Sequence, residues 1–293
     1  MTPPRPATLY ALGDLHKHWR PEDAAFLERE APAHVLFVGD LGDEDVELVR
    51  ELAAIRVPKA FVLGNHDAWQ SFTWKRPTPR LMDSLQALDA DHIGYEVRDL
   101  PEAGISILGA RPFSWGGPGL RSPELYDTLY GVKDMARSAA KIVEAAQRAA
   151  HQDLLILAHN GPTGLGAGTG DIYGKDFGRE PGGDWGDPDL EEAIARIRDQ
   201  GFRVRAVVAG HMHHRLAHPR GELRTRYVRR DGVAYVNPAI VPRLRRAEDG
   251  TVHAFFLRMR WSAGRMVALE EVWVDLYGTV VEVHRPETVE TGS

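Results

Sequence analysis

The 293-residue sequence contains no cysteine. Disulfides, thiolate zinc sites, iron–sulfur clusters, thiolate copper centres and a cysteine nucleophile are therefore excluded. Nor is there any run approaching the ~18 to 20 apolar residues that cross a bilayer. The apolar stretch after Met1–Pro6 stops at Gly13-Asp14, too short for a signal-peptide core, so a cytoplasmic location without a membrane partner is expected. Positive charge is not in excess: 36 Lys plus Arg face 42 Asp plus Glu, a formal balance of −6. A broad basic surface that grips nucleic acid is not expected. Neither GxxxxGK[ST] nor GxGxxG occurs, and Gly174-Lys175 runs into Asp176. The nucleotide-binding loops that depend on those spacings are absent.

What is present is a chain apolar enough to fold, at 43% hydrophobic and 27% charged residues. Short apolar runs at Ala7 to Leu12, His34 to Val38 and Lys59 to Leu63 alternate with helical spacing over Pro21 to Glu30 and Asp43 to Ile55. This reads as β-α-β-α-β with parallel strands and right-handed crossovers. Val132, Met135, Ala139, Ile142, Val143 and Ala146 mark one face of a long amphipathic helix. Leu154 to Ala158 and Val204 to Ala209 are two more apolar, β-prone runs, and strands and turns predominate from His214 onward.

Polar groups with metal-binding capacity stand just beyond these runs. The first is followed by Asp14 and His16, the second by Asp40, the third by Asn65, His66 and Asp67. His159 follows Leu154 to Ala158, and His211 and His213 follow Val204 to Ala209. Any one of these could be an ordinary turn residue. Five strand ends all carrying such residues point instead to a site at the C-terminal edge, where open α/β sheets bind ligands. A donor set of carboxylate, imidazole and amide suits manganese, iron, zinc, nickel or magnesium.

Asp14-Leu15-His16, Gly39-Asp40, Gly64-Asn65-His66-Asp67, His159 and Gly210-His211-Met212-His213 occur in the order of the calcineurin-like metallophosphoesterase signature, which residues 14 to 213 resemble. The resemblance implies a layered α/β fold, two β-sheets sandwiched by helices, with a dinuclear site at strand ends. It implies one metal on Asp14, His16, Asp40 and His213 and a second on Asp40, Asn65, His159 and His211, with manganese as the expected ion. His66 would face substrate and Asp67 would orient it. The implied reaction is hydrolysis of a phosphate ester by metal-bound hydroxide. Small nucleotide phosphodiesters, 2′,3′-cyclic nucleotides among them, are the expected substrates. A broad phosphomonoesterase is the alternative, and a non-catalytic metal-binding scaffold is the alternative of another class. Protein serine/threonine phosphatases of the superfamily carry Asp-Arg-Gly after the second motif; here Gly39-Asp40 continues as Leu41-Gly42-Asp43-Glu44-Asp45, where Asp43 and Asp45 read as the start of a helix.

Length alone suggests about two domains. Because the ligands span residues 14 to 213, one domain over 1–293 is expected, with strands after about residue 214 completing the second sheet. Three further residues are candidate substrate contacts: Arg111 for a phosphate oxygen, Trp115 for stacking on a base, and His92. Residues 161–186 hold ten glycines, and a loop so long is expected to overhang the cleft as a lid or specificity element. The arginines at 215, 220, 224, 226, 229 and 230 read as a solvated hairpin that protects an edge strand. Oligomeric state is not encoded in any of these features.

Overall fold

The computed structural model describes residues 5–286. Its first half alternates as the apolar runs predict: β1 (Ala7–Leu12), α1 (Pro21–Glu30), β2 (His34–Phe37), α2 (Val46–Ala53) and β3 (Lys59–Phe61). Two helices, α3 (Trp69–Trp74) and α4 (Pro79–Leu88), lead to β4 (Val97–Leu100) and β5 (Ile105–Gly109). After α5 (Pro123–Tyr130) and α6 (Met135–Ala146) come β6 (Asp153–Ala158), α7 (Pro188–Asp199) and β7 (Arg203–Ala209). Helix starts are set by local chemistry. Asp45 accepts from the Leu48 amide and Asp134 from the Arg137 amide, each filling an otherwise unpaired donor of the first turn.

The C-terminal third is all strand: β8 (Tyr227–Arg230), β9 (Val233–Val236), β10 (Leu244–Arg246), β11 (Val252–Ser262), β12 (Arg265–Val274) and β13 (Val280–His284). These strands divide between the two sheets rather than completing only the second. The first sheet runs β13-β12-β11-β1-β2-β3 with β10 paired to β11, and the second runs β4-β5-β6-β7-β9-β8. The physical reason lies in β1, whose edge away from β2 would present unpaired amides. β11 fills it antiparallel, from Ala7 opposite Trp261 to Ala11 opposite Leu257.

The central parallel strands β1, β2, β5, β6 and β7 are largely apolar because both their faces are covered. Along β1, Leu9 and Ala11 join a cluster with Leu155, Leu157, Val208 and Trp261 between the sheets, whereas Tyr10 and Leu12 pack into the helix-covered layer with Phe26, Phe37 and Leu52. Parallel β1, β2 and β3 and parallel β5, β6 and β7 therefore end near one another. The loops beyond those ends carry the metal-capable residues. Among the described residues no helix is long and apolar enough to cross a membrane.

Candidate metal centre

The first sheet supplies Asp14 and His16 after β1, Asp40 after β2, and Asn65 and His66 after β3. The second supplies His159 after β6 and His211 and His213 after β7. Hydrogen bonds join the two edges: His159 Nδ1 donates to the Val38 carbonyl at 2.7 Å and the His211 amide donates to Asp14 Oδ1 at 3.1 Å. The first of these fixes the His159 tautomer and leaves Nε2 as a lone pair.

Three groups of donors result, two built from the expected ligands and a third formed by His16, Asp43 and His66. Asp14, His16 and His213 bring ligand atoms within 4.8 Å of one another, and so do Asp40, His159 and His211. In the first, His16 Nε2 lies 3.2 Å from His213 Nε2, which is 3.4 Å from Asp14 Oδ1. In the second, His159 Nε2 lies 2.9 Å from Asn65 Oδ1 and 3.2 Å from His211 Nδ1. Asp40 stands between them, with Oδ1 3.5 Å from His159 Nε2 and Oδ2 3.9 Å from His16 Nε2. Every residue expected to ligate is in this assembly.

The chain is strained to build it. Asp14, His16, Asp40 and His211 all have left-handed backbone, with φ of 52°, 43°, 51° and 66°, a cost that persists where surrounding structure over-determines it. Glycines make room. A Cβ at Gly64 would stand 2.2 Å from Asp40 Oδ1, and one at Gly210 would stand 2.1 Å from Asp14 Oδ2.

The electrostatics ask for a cation. Burial, then the neighbouring charges of Asp14 and Asp67, push the Asp40 carboxyl well above its ordinary range. Burial also raises Asp14, but hydrogen bonding and charge from His213 outweigh it and hold the group at about 2. Desolvation holds His159 neutral with a pKa of about 4 and pushes His16 and His211 down as well. Buried carboxylates beside neutral imidazoles whose lone pairs converge form a ligand set that fits divalent cations with nitrogen and oxygen preference.

His66 flanks this centre, its ring 5.0 Å from that of His16. The residue that orients it is not Asp67. Asp67 is buried and its carboxylate is taken by backbone donors: Leu41 N at 2.8 Å, Gly64 N at 2.9 Å and Gly42 N at 3.4 Å. Asp43 instead lies 2.7 Å from His66 Nδ1. Only Asp45 caps α2, while Asp43, with φ of 53°, turns back toward the site. The sequence signal was present in Asp40-Leu41-Gly42-Asp43, but a carboxylate just ahead of a helix is more economically read as a cap.

The metal-capable residues open onto a cavity of about 690 Å³, lined also by Trp69, Trp115, Trp185, Phe177, Arg121 and Arg215. Trp115 is thus at the site. Arg111 and His92 are not. Arg111 is buried at 2% exposure and bound to Asp189 at 2.8 Å and Asp187 at 2.9 Å, so its charge is spent inside the fold. His92 faces away: its ring nitrogens lie 3.2 Å from the Phe61 carbonyl and 3.1 Å from the Tyr130 hydroxyl.

Residues 161–187 fold as a tethered segment against the cavity, contributing Asp176, Phe177 and Trp185 to its wall. Arg224 is the tether. Far from being solvated, it is 4% exposed, and its guanidinium donates to the carbonyls of Thr169, Asp171, Gly174 and His213 and pairs with Asp176 at 2.9 Å. Arg226 is likewise committed, to Glu271, while Arg229 and Arg230 are exposed on edge strand β8 as expected.

A sequence model of the calcineurin-like phosphoesterase family matches residues 7–215. No curated protein matches the sequence. One solved structure aligns at a TM-score of 0.54 and 9% identity, covering 96% of this chain and 99% of that one. A dimetal phosphatase from Danio rerio aligns at 0.49 and 12% identity over 96% of this chain and 98% of its own. TT1561 of Thermus thermophilus aligns at 0.47 and 10% identity over 96% and 99%. At 9% identity the first of these is a likeness of fold alone.

Proposed function

The chain belongs to the calcineurin-like phosphoesterase family, whose members are generally metal-dependent, and from that premise we propose that it hydrolyses phosphodiesters of small nucleotides at a dinuclear centre. 2′,3′-cyclic nucleotides are one candidate substrate. Asp14, His16, Asp40 and His213 would hold one ion and Asp40, Asn65, His159 and His211 the other, with manganese the preferred metal. The observation that carries this reading is Asp40, which turns one carboxylate oxygen toward each histidine group.

Divalent ions bound there would neutralise phosphoryl oxygens and supply a nucleophile at neutral pH. The chain's own residues do the rest. Asp14 and Asp40 offset only part of the charge of two such ions, so the pocket favours an anionic ester. His66, with Nδ1 held by Asp43 at 2.7 Å, keeps Nε2 for a proton delivered to the departing oxygen. Desolvation disfavours the protonated forms of His16, His159 and His211, as ligation requires.

Metal analysis of the purified protein, followed by a panel of aryl phosphodiesters, aryl monoesters and cyclic nucleotides with added manganese, tests the proposal. We expect about two equivalents of metal and diester turnover that a chelator abolishes. Faster monoester than diester turnover would overturn the diester assignment. Failure to take up metal, together with no hydrolysis, would make the chain a scaffold.

A further inference from the structure

A ladder of aromatic rings leaves the candidate catalytic histidine and runs along the cavity. The rings of His66 and Trp69 have centroids 4.9 Å apart, and those of Trp69 and Trp115 are also 4.9 Å apart. Trp185 Nε1 donates to the Trp115 carbonyl at 2.9 Å, and the Trp185 ring meets Phe177 edge-on at 5.4 Å. Four large rings beside a polar ion-binding cluster are more than a soluble surface needs. Trp69 remains 47% exposed and Phe177 37%, so these faces are open to a ligand.

The charge around the ladder has a sign. The Arg121 guanidinium stacks on Trp115 at 3.8 Å, and Lys175 approaches Trp185 at 5.2 Å. Among the described residues neither Arg121 nor Arg215 forms an ion pair with a carboxylate, whereas the cavity's acid beyond the metal groups, Asp176, is already neutralised by Arg224. An acyl chain would gain from apolar area but not from flat rings with cations stacked beside them. A planar π-system gains from both, because stacking and cation–π attraction each require a ring face.

We propose that this enzyme selects phosphate esters whose organic group ends in a planar aromatic ring system, seated against Trp69, Trp115, Trp185 and Phe177. The inference rests on the phosphoesterase reading for the position of the phosphate and adds to it the class of group beyond. Trp69 and Phe177 are specificity-determining residues in this scheme, and the segment 161–187 is a recognition wall. The sequence shows these aromatics only as scattered positions, at 69, 115, 177 and 185.

Calorimetric binding to the full chain with manganese, using AMP, ribose 5-phosphate and octyl phosphate, tests the inference. AMP should bind about tenfold or more tighter than ribose 5-phosphate, given what base–aromatic stacking contributes. Trp69→Ala and Trp69→Leu should erase most of that preference and Trp69→Phe should retain it, with the fold of each variant checked by circular dichroism. Equal binding of AMP and ribose 5-phosphate, or octyl phosphate as the tightest of the three, would overturn the inference. Metal-dependent turnover of bis(p-nitrophenyl) phosphate is measured in parallel. If turnover persists while the AMP preference is absent, the aromatic site fails alone; if the preference is present without turnover, the hydrolase reading fails alone.

Discussion

Asp43 meets the His66 ring and Asp67 follows His66 in the chain, and their surroundings give the two carboxylates different tasks. Asp43 is exposed and bonded to the imidazole; Asp67 is buried and bonded to three backbone amides. Asp43→Asn should lower turnover by about 10- to 100-fold, the usual effect of losing a ring-orienting partner, with metal content unchanged. Asp67→Ala should instead leave amides of the Leu41 and Gly64 turns unpaired, cost at least about 2 kcal/mol in urea unfolding and release metal. A second residue-scale prediction concerns His34, buried at the head of β2 and remote from the metal groups. Burial, with the Arg98 guanidinium nearby, pushes its pKa down to about 4. The unfolded chain then binds the extra proton first, so stability is full above about pH 6.5 and is lost as pH falls toward 4. Unfolding free energies of His34→Leu, from urea titrations, should show a pH slope smaller by up to about 1.4 kcal/mol per pH unit within that window.

At the scale of elements, segment 161–187 has almost no regular structure, yet it is held from beneath. Its carbonyls at Thr169, Asp171 and Gly174 converge on one guanidinium, which also touches the carbonyl of the metal-group residue His213. Arg224→Ala should free several buried carbonyls at once, raising hydrogen exchange across residues 168–176 and raising KM more than it lowers kcat. Arg224→Lys should not restore protection, because an ammonium cannot present the same planar fork to several acceptors. The arginine run was legible in the sequence, but whether each member faces water or the interior was not. That depends on carbonyls supplied by a segment about 50 residues away.

For the whole molecule, the family match ends at residue 215, while the first sheet does not. A chain cut after residue 215 would keep every candidate ligand and lose β11, leaving one edge of β1 unpaired and the inter-sheet cluster without Trp261, Met259 and Leu257. Such a chain should be insoluble or lack cooperative thermal unfolding, in contrast to the full sequence, as read by circular dichroism.

The identities and order of the metal-capable residues were determined by the sequence alone, because each stands directly beyond a strand that hydrophobic periodicity reveals. The parallel strands followed from the same alternation, since a strand-helix-strand unit has one favoured handedness. What only the tertiary structure decided was the partner of each side chain. It gave Asp43 rather than Asp67 to His66, sent Arg111 into a buried pair with Asp187 and Asp189, turned His92 toward Tyr130, and divided the C-terminal strands between two sheets. Those outcomes depend on which distant donor meets which acceptor once water is excluded, and local spacing along the chain carries no record of that.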